Sequence, residues 1–263
     1  MLLFSLAAYA QQPLKIISYN ILMGMKTDTT EGKQQFVAWV KEKDPDILAL
    51  QECNGFTQKS LEALAATYGH PYAVIVQTNG YPTGLTSKYP IAAIQKVNEN
   101  MTHGFIMARI EHYNIVVLHF NPHQYRKRRE EVAMVLKYIA LEEDRKNWVI
   151  MGDFNSHSPL DKALHSNGRV IARQQSVTKE RPHIHNLIND KEIDYTVQQS
   201  MLDAGFVDAV HAGGNATSDS RIDYIYVSKD LRRKLRHASF ILDDFTKKFS
   251  DHRPIILELK NQK

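Results

Sequence analysis

The feature that most constrains this chain is a recurrence. Short, apolar, β-rich runs stop repeatedly on a polar side chain of the kind that binds metals or phosphates. Leu14 to Tyr19 stops on Asn20, and Ile47 to Gln51 stops on Glu52. Ile115 to Leu118 stops on His119, and Trp148 to Met151 runs through Gly152 into Asp153, Phe154 and Asn155. Later, Asp223 opens the run to Val227, and Asp251-His252 stands just before Ile255 to Leu259. Singly, each polar group reads as a turn former or a solvated surface residue. So many of them, each beside a buried-type run, exceed what turn chemistry explains. Strands fix the side chains at their ends, so the fold must bring several strand ends together.

The segments between these runs define the layers. Glu31 to Lys43 places Phe36, Val37, Trp39 and Val40 at helical spacing and stops at Asp44-Pro45. A second helix fits Lys59 to Tyr68, closed by Gly69. From Tyr72 to Phe120 the pattern changes to short strands: Tyr72 to Gln77, Gly84 to Ser87, Ile91 to Val97, Phe105 to Glu111 and Ile115 to His119. Turns at Lys88-Tyr89-Pro90 and His112-Tyr113-Asn114 predict an antiparallel meander there. A long helix is predicted from about Tyr125 to Asp144, with Val132, Val135, Leu136, Ile139 and Ala140 on one face. Ser156 to Lys191 is polar and aperiodic, and reads as a long excursion with little regular structure. A helix near Asp194 to Ala204 follows, with strands at Phe206 to Val210, Ile222 to Val227, Ala238 to Leu242 and Ile255 to Leu259. The two halves share a rhythm that fits two sheets packed face to face and flanked by helices, in one domain spanning residues 11–263.

Composition adds bounds. The 263 residues are 43% hydrophobic and 24% charged, enough for a sizeable core. A net charge of +4 suits a phosphorylated substrate but lacks the concentrated field of a dedicated nucleic-acid binder. The basic clusters at Arg126 to Arg129, Arg232 to Lys234 and Lys247-Lys248 read as solvated helix faces. Met1 to Ala10 is apolar and uncharged, and Ala8-Tyr9-Ala10 has the small-x-small form of a signal-peptidase site. Those residues fall short of the roughly 20 that span a bilayer. They read as the tail of a secretory signal peptide, giving an exported, periplasmic or secreted protein cut near Ala10. Cys53 is the only cysteine, so no intrachain disulfide forms. No feature calls for a partner chain, and a monomer is expected.

Five short motifs carry a resemblance. Ser18-Tyr19-Asn20, Asp46 to Glu52, Gly152-Asp153-Phe154-Asn155, Arg221-Ile222-Asp223-Tyr224-Ile225 and Ser250-Asp251-His252-Arg253-Pro254 occur in the order found in the endonuclease/exonuclease/phosphatase superfamily. Together they cover Ser18 to Pro254. The sequence resembles that superfamily, which includes DNase I-like nucleases, apurinic endonucleases, neutral sphingomyelinases and inositol polyphosphate 5-phosphatases. The resemblance implies an α/β fold, a four-layer α/β sandwich with two mostly antiparallel sheets, and a divalent-metal-dependent phosphoester hydrolase.

Such hydrolysis needs an in-line nucleophile, neutralisation of the nonbridging oxygens and help for the leaving oxygen. Glu52 offers a hard carboxylate for Mg²⁺ or Mn²⁺, and by resemblance Asn20 and Asp251 complete or support that metal site. The resemblance makes Asp153 the residue that activates water, with Asn155 holding the water or a phosphate oxygen. His252 contacts the phosphate with Asp223 on its other ring nitrogen, and His119 donates to the phosphate in the transition state. Either Asp153 or His252 serves as the base. His119-Phe120-Asn121-Pro122-His123 adds Asn121 and His123 as candidate substrate contacts, although His123 reads equally as a helix-start residue. The apurinic branch tends to carry Tyr where His119 stands. His119-x-x-x-His123 is similar to the 5-phosphatases, but their Gly-Asn-Lys-Gly stretch is replaced by Thr83 to Lys88. His183 and His185 read as solvated loop histidines. With no aromatic-interleaved basic stripe and no long apolar hairpin, the expected substrate is a small phosphorylated molecule or lipid head group. A secreted nuclease acting on nucleic acid comes second. A non-catalytic binding module is the alternative of another class, disfavoured because every expected position keeps a competent side chain.

Overall fold

A computed structural model describes residues 13–25, 31–215 and 217–260. The predicted signal segment, Met1 to Ala10, lies outside the described residues. The chain first lays down β1 (Leu14–Asn20), β2 (Ile47–Gln51), β3 (Tyr72–Ile75) and β4 (Gly84–Ser87). It then crosses to a second sheet with β5 (Ile91–Val97), β6 (Phe105–Ile110), β7 (Tyr113–His119) and β8 (Trp148–Asp153). A small hairpin, β9 (Leu187–Ile188) and β10 (Glu192–Ile193), precedes β11 (Val207–Asp208) and β12 (Asp223–Val227). The chain returns to the first sheet with β13 (Leu235–Phe240) and β14 (Ile255–Leu259). The spatial orders are β13-β14-β1-β2-β4-β3 and β11-β12-β8-β7-β6-β5, six strands in each sheet. Only β1–β2 and β7–β8 pair in parallel, so both sheets are mixed but mostly antiparallel.

Three apolar cores separate four layers. The inner core joins the facing sides of the sheets: Ile16, Ile47, Ala49, Leu85 and Leu257 meet Ile106, Ile115, Val117, Val149, Met151 and Ile225. An outer core packs Phe36, Trp39 and Val40 of the helix Glu31–Lys43, and Leu61 and Ala65 of Gln58–Thr67, onto the first sheet. The other packs Val132, Val135 and Ile139 of Tyr125–Leu141, with Val197 and Met201 of Thr196–Asp203, onto the second. The α/β four-layer sandwich predicted from the motifs is therefore the fold. No helix among the described residues is long and apolar enough to cross a membrane.

Three expectations need correction. The predicted meander from Tyr72 to Phe120 is split between the sheets: β3 and β4 belong to the first, and only β5, β6 and β7 run as a meander. The chain leaves the first sheet at Lys88, whose N–H is held by the Asp46 carbonyl at 3.0 Å, and Pro90 has no N–H to extend a ladder. The excursion is also more regular than its composition suggests. It holds a 3₁₀ helix at Pro159–Asn167 and an α-helix at Arg169–Glu180, with the hairpin beyond. Of Arg169–Glu180 only Val170 is buried, so it leaves no apolar stripe to read. The strand expected over Phe206 to Val210 is shortened to Val207–Asp208, because the Asp208 side chain caps the following turn, Ala209–Ala212.

Gly152 sits at φ +146°, and a Cβ there would stand 1.9 Å from the Leu118 carbonyl oxygen. The close approach of β7 to β8 thus depends on glycine. Gly152→Ala is expected to destabilise the protein by at least about 3 kcal/mol. Thermal and urea unfolding of the variant against wild type checks this, and an unchanged Tm would refute it.

Candidate active site

Strand register assembles the site. The β7–β8 register puts His119 beside Asp153, and the β12–β8 register puts Asp223 on the other side of Asp153. In the facing sheet, β1 and β2 place Asn20 opposite Gln51, one residue before Glu52. The turn before β14 is braced onto β1 by Ser250, whose hydroxyl donates to the Asn20 carbonyl at 2.7 Å and accepts the His252 N–H at 3.0 Å. Two sheets thus deliver Asn20, Glu52, His119, Asp153, Asp223 and His252 to one place.

Asn20 is the hub. Its Nδ2 donates to Glu52 Oε1 at 3.1 Å and to Asp153 Oδ2 at 3.2 Å, and lies 3.5 Å from His252 Nε2. Asp153 Oδ2 stands 3.6 Å from His119 Nε2 and 3.8 Å from His252 Nε2, while its Oδ1 accepts the Asn155 N–H at 2.8 Å. Asn155 Nδ2 donates to the Phe120 carbonyl at 3.0 Å. His252 Nδ1 donates to Asp223 Oδ2 at 2.8 Å, and its Nε2 is 3.9 Å from Asp251 Oδ1. Glu52 Oε2 accepts the Met23 N–H at 2.7 Å, steadying a turn in which Leu22, Met23, Gly24 and Met25 all have positive φ. Glu52 and Asn155 are themselves left-handed, at φ +59° and +50°. Such conformations cost free energy and persist where the surroundings over-determine them, which is common at functional sites.

The electrostatics separate the two histidines. Burial above all, with the charges of His103 and His252, holds the His119 pKa well below its ordinary value, so it is a neutral imidazole. Burial also works against charge on His252, but Asp223 and Asp153 together outweigh it and raise its pKa well above neutrality. Asp153 is pushed up, first by burial and then by the Asp223 carboxylate, against the opposing pull of His252. Of the two histidines beside it, only His252 carries a charge. The acids therefore outnumber the cations facing them, an environment that suits a divalent cation. Asp153, Asp223 and His252 each offer one ligand atom within 4.8 Å of the others. That group differs from the expected Asn20, Glu52 and Asp251, although Glu52 adjoins it through Asn20, and Asp251 through His252.

Asn121 and His123 are not brought into this cluster. Asn121 commits its amide to the start of the Tyr125–Leu141 helix: Oδ1 accepts the N–H groups of His123 and Gln124 at 2.8 and 2.7 Å, and Nδ2 donates to Thr102 Oγ1 at 3.0 Å. His123 is exposed, its ring set edge-on against His183 at 5.6 Å.

Three further residues around the site are buried, which the sequence reading did not foresee. His103 stacks on His119 with ring centroids 4.4 Å apart, its pKa lowered to about 4 chiefly by burial. Because Phe105 pairs with Leu118, the residues before Phe105 must lie over His119, a position the hairpin register could have given. Arg128, expected on a solvated face, is only 2% exposed, which corrects that reading of its cluster. Extending the Val132-Val135-Ile139 stripe back one turn reaches it. Arg221 is wholly buried, its guanidinium pairing with Asp161 at 2.6 Å and Asp208 at 2.6 Å.

A trough opens from the cluster. A cavity of about 520 Å³ is lined by Asp223, Asp251, His252 and Arg173, and a second of about 320 Å³ by Asn155, His157, Arg128 and Arg173. Arg173, Ser220 and Ile222 line both, so the two adjoin.

A model of the Endonuclease/Exonuclease/phosphatase family matches residues 17–252, and the chain belongs to that family. It is a phosphoester hydrolase by family, and the family is generally divalent-metal dependent. A Bacillus subtilis (strain 168) protein named exodeoxyribonuclease is 26% identical, covering 93% of this chain and 98% of its own. An AP endonuclease structure from Archaeoglobus fulgidus superposes with a TM-score of 0.69 at 18% identity, over 94% of this chain and all of that one. A 3′-5′ exonuclease from Neisseria meningitidis does so with a TM-score of 0.68 at 19% identity, over 94% and 99%.

Asp223 should govern the titration of His252. A histidine whose pKa is raised by folding contributes stability that is complete below its unfolded value of about 6.5 and is lost as pH rises through the folded value. In NMR titration of the metal-free protein, the His252 ring is expected to stay protonated above neutrality. Asp223→Asn should lower its midpoint by about one unit or more; an unmoved midpoint would contradict the assigned pair.

Proposed function

We propose that this chain hydrolyses phosphodiester bonds in a polynucleotide with the help of Mg²⁺ or Mn²⁺. The observation that carries the hydrolase reading is the buried Asp153 carboxylate, set between a neutral and a cationic histidine and tied through Asn20 to Glu52. Glu52, Asn20 and Asp251 would hold the cation, with the carboxylates of Asp153 and Asp223 beside it. The cation supplies neutralisation of the nonbridging oxygens. Asp153, its proton affinity raised by burial, takes the proton of the attacking water, and Asn155 orients that water or a phosphate oxygen. His252, kept cationic by Asp223, pairs with the phosphate, and His119 donates its N–H as charge builds up.

For the substrate, the names of the relatives weigh toward nucleic acid: an exodeoxyribonuclease, an AP endonuclease and a 3′-5′ exonuclease. This reverses the order reached from composition, in which a small phosphorylated molecule or lipid head group stood first. His119 does not separate the two readings: it departs from the Tyr of the apurinic branch, but a histidine there is similar to DNase I, sphingomyelinases and 5-phosphatases alike. The Met1 to Ala10 segment supports an exported protein, testable by N-terminal sequencing of the product from a periplasmic fraction.

The test is one substrate panel, run with Mg²⁺, with Mn²⁺ and with chelator: bis-p-nitrophenyl phosphate, single-stranded and plasmid DNA, sphingomyelin, inositol phosphates and nucleotides. DNA should be cleaved fastest, and chelation should abolish all hydrolysis. Asp153→Asn and His252→Gln should each lower kcat by about 10²- to 10⁴-fold. Full activity in Asp153→Asn or under chelation would overturn the mechanism. Faster turnover of a lipid or inositol phosphate would overturn the substrate.

A further inference from the structure

The trough continues past the catalytic cluster into a recess whose charges do not balance. Asn155, whose N–H is held by Asp153, forms one wall of it. Two carboxylates line the recess, and each already has its own cation. Asp194 is gripped by Arg129, with the closest contact at 2.7 Å, and Asp219 by Arg169 at 2.9 Å. Arg128 and Arg173 are left over. Arg128 donates from one terminal nitrogen to the Asn121 carbonyl at 3.0 Å and to Asn186 Oδ1 at 2.8 Å; the carboxylates of Asp194, Glu131 and Asp153 act on it through space, but none forms an ion pair with it among the described residues. Its Nε is buried without a hydrogen-bond partner, although the side chain is 2% exposed. His157, on the same recess, likewise keeps a buried Nδ1 without a partner. Arg173 has no ion pair among the described residues, and it lines both cavities.

A buried guanidinium that no carboxylate contacts directly, as at Arg128, is costly, and its planar fork matches a phosphate; Arg173 adds an exposed one at the mouth. We propose that Arg128 and Arg173, with His157, form a second anion subsite that holds the phosphate neighbouring the scissile one. Most of the recess residues, His157, Arg173 and Asn186 among them, come from the excursion between β8 and β11. The insert thus selects substrates that carry two phosphates flanking one sugar unit, as a polynucleotide strand does. This rests on the hydrolase reading above, but its readout is binding and does not require turnover.

Isothermal titration of wild type, Arg173→Ala and Arg173→Lys with thymidine 5′-monophosphate and with thymidine 3′,5′-bisphosphate tests it. Wild type should bind the bisphosphate about tenfold or more tightly than the monophosphate. Arg173→Ala should lose most of that advantage, and Arg173→Lys should keep part of it. Arg128 also braces Asn121 and Asn186, so Arg128→Lys serves as the second variant, read where its circular dichroism matches wild type. Equal affinity for the two ligands, or an advantage that survives in Arg173→Ala, overturns the subsite. A trinucleotide should displace the bisphosphate; failure to do so overturns the polynucleotide as the source of the second phosphate. Arginine-dependent binding with no hydrolysis of any substrate would support the subsite and sink the hydrolase reading instead.

Discussion

Side chains along a strand alternate faces, and in this protein that alternation places the chemistry. On β8, Val149 and Met151 point into the seam between the sheets, and Asp153 follows two residues later on the same face. On β7 the file is Ile115, Val117 and His119; on β12 it is Val227, Ile225 and Asp223; on β1 it is Leu14, Ile16, Ser18 and Asn20. The polar residues are therefore the last members of the files that form the dry interface, at the end where the sandwich opens. A register slip of one residue would turn every one of them to the opposite face. Apolar packing that holds the register is thus also what holds the site, and Asn20, bonded to acids from both sheets, closes the gap.

This arrangement explains why so much was legible in the sequence. Each apolar run announced a strand, and the residue type at its end announced a site, because strand and site share one file of side chains. The helix Glu31–Lys43 was equally plain, since Phe36, Trp39 and Val40 mark a buried stripe. What stayed hidden had physical reasons. Arg169–Glu180 buries only Val170, so nothing in its periodicity separates it from a loop. The passage of the chain from β4 to β5 looks like any hairpin turn, and only the Asp46 carbonyl waiting for Lys88 tells that the two strands belong to different sheets. Arg128 was hidden by its charge: a cation on a helix is ordinarily solvated, and only its place one turn before Val132 betrays burial.

Within the site the same elements produce opposite protonation in two like groups. His119 and His252 both approach Asp153 Oδ2, at 3.6 and 3.8 Å. One is stacked against another imidazole and sealed from water; the other has a second carboxylate on its far nitrogen. The difference lies chiefly in what stands behind each ring: a second imidazole at His119 and the Asp223 carboxylate at His252. The sheet places the rings, and the layer behind them decides what each does with a proton.

Arg221 gives the fold a mechanical property that no distance in the site reveals. Its guanidinium joins Asp161, near the start of the excursion, to Asp208, at the end of β11. Its own backbone stands two residues before Asp223, and its carbonyl accepts the Tyr224 hydroxyl at 3.1 Å. The insert is therefore fastened to the strand that carries the partner of His252. Such a segment cannot behave as an interchangeable surface loop. Evolution or engineering that replaces it inherits an obligation to refill the keystone.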